Sequence, residues 1–453
     1  MSDTTERPAL MWFRRDLRLA DNPALVEAGR VGPVLPVIIL DPRLLGAGGR
    51  RAERYLASVA ALRDSTDGAL LIRQGDPAAE LPRIAAEVRA AKVCVTGETT
   101  PYGRRRDRRV AAELARQDAE LIKVGSPYAV GPGRVLNRSG SPYRVFTPFH
   151  RAWLEHGWAA PAEQPDPSWF RWHREPDPVP LPDPDDHDAG ERAARDRWRR
   201  YRTGLLRRYA DERDRPDLDS TSRMSVPLKY GELHPRTLLA DLADPAPAAA
   251  KAVETYVREL CWREFYADVL WHQPWSAWRD LRDDLTGLEY ADPGRAAEVI
   301  EAWKAGRTGY PVVDAAMRQL LAEGWMHNRM RMVTASFLIK DLHVWWPVGA
   351  RHFLDRLADG DLASNNLNWQ WVAGTGTDPA PYFRVFNPVT QGRKFDPDGD
   401  YVRRWVPELA HLSGAAVHEP WRVDDGYAEG YPERIVDHAE ERRIALARYE
   451  QAR

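Results

Sequence analysis

The first third of the chain alternates short apolar runs with stretches of helical periodicity. Apolar runs at 9–13, 34–40, 69–72, 93–96 and 121–124 predict buried strands. Between them, 51–62, 78–90 and 104–117 repeat their apolar positions every three to four residues and predict helices. Strands alternating with helices imply parallel βαβ units and a doubly wound parallel sheet, an α/β domain. Ligands on such sheets favour the carboxyl ends of the strands. The segment holds neither a G-x-G-x-x-G fingerprint nor a Walker A loop, so no ordinary dinucleotide or nucleoside triphosphate site is expected.

The pattern changes near residue 159. Pro161, Pro165, Pro167, Pro176, Pro178, Pro180, Pro182 and Pro184 punctuate an acidic stretch. Proline removes backbone donors and breaks helices, so a long proline-rich linker is predicted. Beyond it the strand alternation stops. Helices are predicted at 191–211, 248–271, 296–305, 312–323, 326–342, 349–358 and 361–373. The expected organisation is an α/β domain at 5–130, a linker at 131–196 and a larger all-α domain at 197–453.

Charge and composition narrow the classes. With 65 Lys and Arg against 67 Asp and Glu, the net charge is −2, so any polyanion site must be a local patch. The two cysteines, Cys94 and Cys261, lie far apart in apolar segments and read as core residues, which argues against a disulfide framework or a metal cluster. No run of about 18 apolar residues predicts a membrane span. The polar start at 1–8 has no apolar signal core, and a cytoplasmic monomer is expected. Tryptophan is the unusual residue: there are 18, and only Trp12 lies in the first 150 positions.

Several constellations in the second part could carry chemistry. Tyr256, Glu259, Trp262, Arg263 and Tyr266 fall on one helix face. That face suits a half-buried stripe with Glu–Arg pairing equally well as a pocket with an aromatic plane beside a carboxylate. Trp325, His327, Asn328, Arg329, Arg331 and Met332 cluster where a helix begins after Gly324. A buried helix would not carry so many polar groups without partners. Asp361 follows Gly360 as a natural N-cap, which leaves Asp359 and Asn365 unexplained. Trp369 lies one turn beyond Asn365, and Trp371 points elsewhere. The hydroxyl-rich loop Thr221, Ser222, Arg223, Met224, Ser225 suits phosphate oxygens. Arg384, Gln391, Arg393 and Lys394 would suit a nucleic-acid backbone. Hydrolase triads and metal-ligand spacings are absent from the pattern, and no metal is expected.

Together these segments resemble the photolyase/cryptochrome family. WFRRDLRLADN at 12–22 is similar to the family's N-terminal signature. ELCWREFY at 259–266 resembles its substrate-cavity helix, and GYP at 309–311, AMR at 316–318 and GWMHNR at 324–329 continue in register. DGDLASNN at 359–366, with WQW at 369–371 and GTGTD at 374–378, is the most specific block. The similarity spans nearly the whole chain and runs closest to bacterial class I cyclobutane pyrimidine dimer photolyases.

The resemblance implies light-driven repair of cyclobutane pyrimidine dimers in DNA, by electron transfer from excited reduced FAD held in the all-α domain. It implies that Tyr209, Thr221, Ser222, Arg223, Met224, Ser225, Tyr256, Glu259, Arg263, Asn328, Arg331, Asp359, Gly360, Asp361 and Asn365 line the cofactor. Arg331 would pair with Asp359, and the Asn365 amide would accept from flavin N5–H. Plant cryptochromes carry an acid there and animal ones a thiol, so the amide favours repair. Glu259, Asn365 and Met332 would serve the reaction at the flipped dimer. Trp262, Trp371, Arg213, Asn328, Arg329, Arg384, Gln391 and Lys394 would contact damaged DNA. Trp369 and Trp346 would carry electrons to the flavin, with the outer position near Tyr290 and Trp345 or Trp405 as substitutes. The antenna pigment is expected on the sheet domain, 8-hydroxy-5-deazaflavin rather than methenyltetrahydrofolate, where Glu98 and Arg51 are candidate contacts. A cryptochrome photoreceptor is the alternative, disfavoured because the chain ends soon after the last family helix. A (6-4) photolyase would be expected to use a histidine pair where this chain offers Glu259 and Met332.

Overall fold

The computed structural model describes residues 7–46, 49–172, 179–283, 285, 287–292, 294, 296–378 and 384–452. Pro176 and Pro178 of the predicted linker lie outside them. The chain forms two compact units. The first comprises Met1–Tyr143, Thr147–Arg207 and Ser222–Pro274; the second comprises Arg144–Phe146, Arg208–Thr221 and Trp275–Arg453.

The first unit is built on five parallel strands: β1 Ala9–Phe13, β2 Val34–Leu40, β3 Leu71–Gln74, β4 Lys92–Val95 and β5 Glu120–Lys123. Their order is β3-β2-β1-β4-β5. Side chains alternate between two buried layers: Leu10, Trp12, Leu35 and Val37 face one, and Met11, Phe13, Ile38 and Leu40 the other. A sheet apolar on both faces needs helices on both, which the crossovers supply. Four of the crossover helices start from a polar cap followed by proline; the other, Arg50–Ser65, follows Gly49 without a side-chain cap. Asn22, Asp41, Asp76 and Thr100 accept from the first turns of the helices that begin at Pro23, Pro42, Pro77 and Pro101. The missing proline N–H is one of the donors a helix start leaves unpaired in any case.

The connecting segment is partly tied to this sheet. Trp169 bridges Val34 in parallel, and Phe170 N donates to Val34 O at 2.8 Å. The same unit contains the helices Glu191–Gly204 and Ala250–His272. Cys94 and Cys261 are buried, free and part of its interior.

Among its described residues the second unit is helical. Its frame includes Ala297–Ala305, Pro311–Glu323, Asn328–Ser336, Trp346–Arg356, Leu362–Ala373, Pro388–Phe395, Asp400–Trp405 and His438–Ala452. One apolar core runs through it, centred on the fully buried Trp303, Trp346, Met330 and Phe337. The single helix predicted at 326–342 is two pieces. His327 caps an α-helix through its ring nitrogen, and Phe337–Asp341 continues as a π-helix. The wider turn lets the Lys340 ammonium donate to Arg384 O, and such π segments are frequent at functional sites. Burial, helped by the Arg384 charge and opposed by Asp341, lowers Lys340 to about 7. No helix among the described residues is long and apolar enough to cross a membrane.

Candidate functional site

The most specific block folds into one corner of the second unit. Gly360 brings the chain out of the preceding turn, and Asp361 caps Leu362–Ala373 by accepting from Ser364 N at 3.0 Å. The helix is pinned from behind. Asn366 donates to Ala277 O, and Gln370 donates to Ser276 O at 2.6 Å while accepting from Leu281 N at 2.9 Å. Asn365 is fixed on the same helix. Its amide nitrogen donates to Ala350 O at 3.0 Å and to Asn366 Oδ1 at 2.8 Å. Both donors are committed, so the side chain can present only its carbonyl oxygen to a further partner.

The expected Arg331–Asp359 pair is formed. Arg331 Nη2 lies 2.8 Å from Asp359 Oδ2, and its Nε donates to Met326 O at 2.9 Å. Asp359 is 6% exposed, and its other oxygen, Oδ1, is buried with no hydrogen-bond partner among the described residues. An unpaired carboxylate oxygen in the interior is costly, roughly 1–3 kcal/mol or more. It marks a place where a donor from outside the chain belongs. Asn328 is exposed and Met332 half-buried on the neighbouring helix.

The indoles behind this corner separate into two kinds. Trp303 is fully buried, donates to Thr334 O at 3.1 Å and stacks on Phe353 at 8°. Trp369 meets the edges of Trp303 and Phe353 at 6.2 and 5.0 Å. Trp346 is fully buried and donates to Asp280 Oδ1 at 2.7 Å. A Cβ on Gly349 would lie 2.2 Å from Trp369 Cη2, so the helix Trp346–Arg356 meets the Trp369 ring through a glycine. Trp371 is half-buried and donates to Asp378 O at 3.1 Å. Trp325 packs edge-on to His327 at 6.3 Å.

A cavity of about 570 Å³ opens elsewhere in the same unit. It is lined by Asp211, Asp214, Arg215, Arg329, Arg384, Phe386, Gln391, Lys394 and Phe395. Four predicted DNA contacts, Arg329, Arg384, Gln391 and Lys394, thus share one wall system. The predicted Arg213 stands over the Tyr209 ring at 5.6 Å and is not among the lining residues. Arg329 pairs with Asp214 at 2.8 Å and lies 4.5 Å above the Phe395 ring. Gln391 Oε1 is buried without a partner among the described residues. Sequence reasoning missed Asp214, Phe386 and Phe395. The acidic partner lies 115 positions before Arg329, and no local pattern connects them.

In the first unit, the predicted positions are also ordered. Ser222 Oγ and Tyr256 OH are 2.8 Å apart and buried, and Met224 N donates to Ser222 Oγ at 3.3 Å. Arg223 adopts a φ of 52°, a left-handed conformation that few non-glycine residues hold. Ser225 opens the helix Ser225–Tyr230, and Thr221, in the second unit, is half-buried. Tyr256 packs on Trp198 at 5.4 Å. Arg263 donates to Pro127 O and Leu228 O at 3.0 and 3.2 Å and covers the Tyr128 ring. Trp262 meets Phe265 and Tyr266 and is half-buried, as is Glu259. The neighbouring Glu264 is structural: it accepts from Ala129 N, Val130 N and Trp153 Nε1. Glu98, an expected antenna contact, is held within the chain. Burial would raise its pKa, but Arg15, Arg14 and Arg106 hold it at about 2, and it accepts from Thr99 N and Thr100 N.

Comparison with known proteins decides the family. Residues 9–168 match the pattern of "DNA photolyase", and residues 256–451 that of "FAD binding domain of DNA photolyase". A deoxyribodipyrimidine photo-lyase from Streptomyces griseus is 42% identical over 98% of this chain and 99% of its own. The chain belongs to the DNA photolyase family. The Escherichia coli K12 deoxyribodipyrimidine photo-lyase is 39% identical over 98% of both chains. Among solved structures, a bacterial class III photolyase from Agrobacterium tumefaciens superposes with a TM-score of 0.89, 36% identity and coverage of 100% and 98%. A Synechocystis cryptochrome gives 0.85 at 28% identity, covering 97% and 98%. Photolyase relatives at this identity and coverage make the chain an enzyme of that type, with an FAD-binding domain. The second unit's corner fits such a group: a flavin ring offers N–H donors to the unpaired Asp359 Oδ1 and to the one free oxygen of Asn365.

Proposed function

We propose that the chain repairs cyclobutane pyrimidine dimers in DNA by light, as a class I photolyase in the cytoplasm, acting as a monomer. The observation that carries this reading is Asn365, whose amide donors are both held inside the chain, leaving a neutral acceptor. An amide cannot give up or take a proton there as the acid or thiol of cryptochromes can, which favours repair over signalling. Arg331 and Asp359, with Asp361 and Gly360, hold the flavin's polar edge. Tyr209, Thr221, Ser222, Arg223, Met224, Ser225, Tyr256, Arg263 and Asn328 serve its remaining groups. Reduced FAD, when bound and excited, would supply the one-electron chemistry that opens the dimer.

The chain's own residues then have positioning work. A dimer must leave the stack, at a cost of a few kcal/mol that damage lowers. Trp371 and Trp262 offer aromatic faces to its bases, Glu259 a hydrogen bond and Met332 apolar contact. Arg329, Arg384, Gln391 and Lys394, with Arg213, bind the phosphates on either side. Trp369 and Trp346 deliver electrons that keep the flavin reduced; by resemblance the outer position falls near Tyr290, with Trp345 or Trp405 as substitutes. Residues 197–453 act as the flavin domain and 5–130 as the antenna domain, with 8-hydroxy-5-deazaflavin as pigment. An archaeal photolyase from Sulfolobus tokodaii (TM-score 0.84, 28% identity, covering 98% and 100%) was solved with two FAD molecules, so an absorption spectrum of the purified holoprotein is the test of the pigment.

Repair itself is tested with the FAD-loaded, chemically reduced protein and a single-stranded oligonucleotide carrying one thymine dimer. Light restores thymine in the cyclobutane substrate and leaves a (6-4) substrate unchanged. Failure on the first would end the repair reading. Glu259→Ala lowers the yield while flavin content holds.

A further inference from the structure

We infer that Trp345, an exposed indole beside the buried Trp346, is the outlet through which external electrons enter the chain, and that Tyr290 is not. This rests on the proposed path through Trp369 and Trp346. Trp346 cannot meet a reductant itself, because it is fully buried. Its indole N–H is held by the Asp280 carboxylate at 2.7 Å, which steadies positive charge on that ring. Trp345 is 40% exposed, and its ring centre lies 6.4 Å from that of Trp346, edge to face at 67°. It precedes the helix Trp346–Arg356, as its N-cap residue, without a capping side-chain bond. Nothing in that local structure requires an indole there.

Tyr290 packs against the same core, with a half-buried ring. A phenol gives up an electron readily only if its proton can leave. The Tyr290 hydroxyl is buried and has no hydrogen-bond partner among the described residues. Burial, and then the negative charge of Asp280, raise its pKa far above the ordinary value. Those conditions hold the proton on oxygen. The other candidates lack a route. Among the described residues Trp405 shares no ring contact with Trp346 or Trp369, and its indole N–H is buried and unpaired. Trp303 touches Trp369 but is fully buried.

With FAD bound and excited, Trp369 would give up one electron, Trp346 would refill Trp369, and Trp345 would refill Trp346. The oxidised Trp345 releases its indole proton to water, and an external thiol returns one electron and one proton. Exposure makes both of the last transfers possible.

The test is flash photolysis of the FAD-loaded protein with dithiothreitol as reductant, on Trp345→Phe, Tyr290→Phe and Trp369→Phe. Trp345→Phe should cut the long-lived radical yield by roughly tenfold, the factor set by a small change in the barrier of the competing return step. Flavin content and the unfolding midpoint should hold. In the flavin-free protein the same substitution should remove an acrylamide-quenched component of tryptophan fluorescence. Trp345→Tyr should recover part of the yield, because an exposed phenol can pass its proton to water. The long-lived radical should have the indolyl spectrum, and Tyr290→Phe should leave it unchanged. A phenoxyl spectrum, or a loss in Tyr290→Phe with none in Trp345→Phe, overturns the assignment. Radical formation that survives Trp369→Phe would instead remove the path on which the assignment rests.

Discussion

Two buried polar clusters in this chain are built from the same residue types and end in opposite states. In the first unit, where β1 and β4 lie side by side, Arg14 binds Asp107 at 2.6 Å and also Thr96 O. Asp16 accepts from Arg14 N at 2.8 Å and from Thr96 Oγ1 at 2.5 Å. Arg14 and Arg106 both cover the Trp12 ring, at 4.6 and 4.8 Å. Both oxygens of Asp16 are occupied. In the second unit, Arg331 and Asp359 make one bond of similar quality and leave Asp359 Oδ1 unpaired. A closed network in a low dielectric stabilises and specifies a fold, and an open one invites a ligand. Carboxylate–arginine chemistry alone does not tell the two apart. The count of unmet bonds does.

The comparison breaks most sharply at Asp107. Asp107→Ala strands two buried guanidinium groups, and the loss should be about 3–5 kcal/mol of stability, read from urea unfolding. The fraction that remains folded should still bind FAD normally. Loss of flavin without loss of stability would make this cluster a site rather than a scaffold. Asp359→Asn should do the reverse. The hydrogen bond it weakens is to a charged group, about 1.5–3 kcal/mol, so FAD affinity should fall by roughly ten- to a hundredfold in a fluorescence titration. The flavin-free protein should lose less stability than Asp107→Ala does, because Arg331 keeps Met326 O and is 26% exposed to water. Equal destabilisation by the two substitutions would erase the distinction.

How much of this was readable from the chain follows the range of the interactions. Strands 9–13 and 34–40 fall on the observed β1 and β2 because each apolar run is bounded by polar or turn-forming residues at both ends. The helix Pro23–Val31 went unread, although Asn22 before Pro23 is the same cap-and-proline start found at Asp41, Asp76 and Thr100. The break at 337 was not readable, because periods of 3.6 and of a wider turn differ little over five residues. The Arg331–Asp359 pair came from resemblance rather than from spacing, since 28 positions separate the partners. Asp280 and Asp214 stayed hidden for the same reason: each acts on a residue brought near only by folding. That Asn365 would present only its oxygen depends on where Ala350 O lies, which no motif encodes.

The cavity lined by Arg329 and Lys394 offers the finest test of paired against unpaired charge. Arg329 has a carboxylate partner in Asp214, whereas Lys394 is exposed and extends over Phe395 with its Nζ 5.1 Å from the ring. A cation already neutralised by a neighbour releases fewer counterions when it meets a phosphate. Lys394→Ala should therefore reduce the slope of log affinity against log salt by about 0.7 for single-stranded DNA, the value for one phosphate contact. Asp214→Asn should move the slope the other way, by at most the same amount, because it removes the carboxylate that neutralises Arg329. Both changes should be alike for damaged and undamaged oligonucleotides, since phosphate contacts carry no base information. A Lys394→Ala effect confined to damaged DNA would place that lysine at the lesion instead of on the backbone.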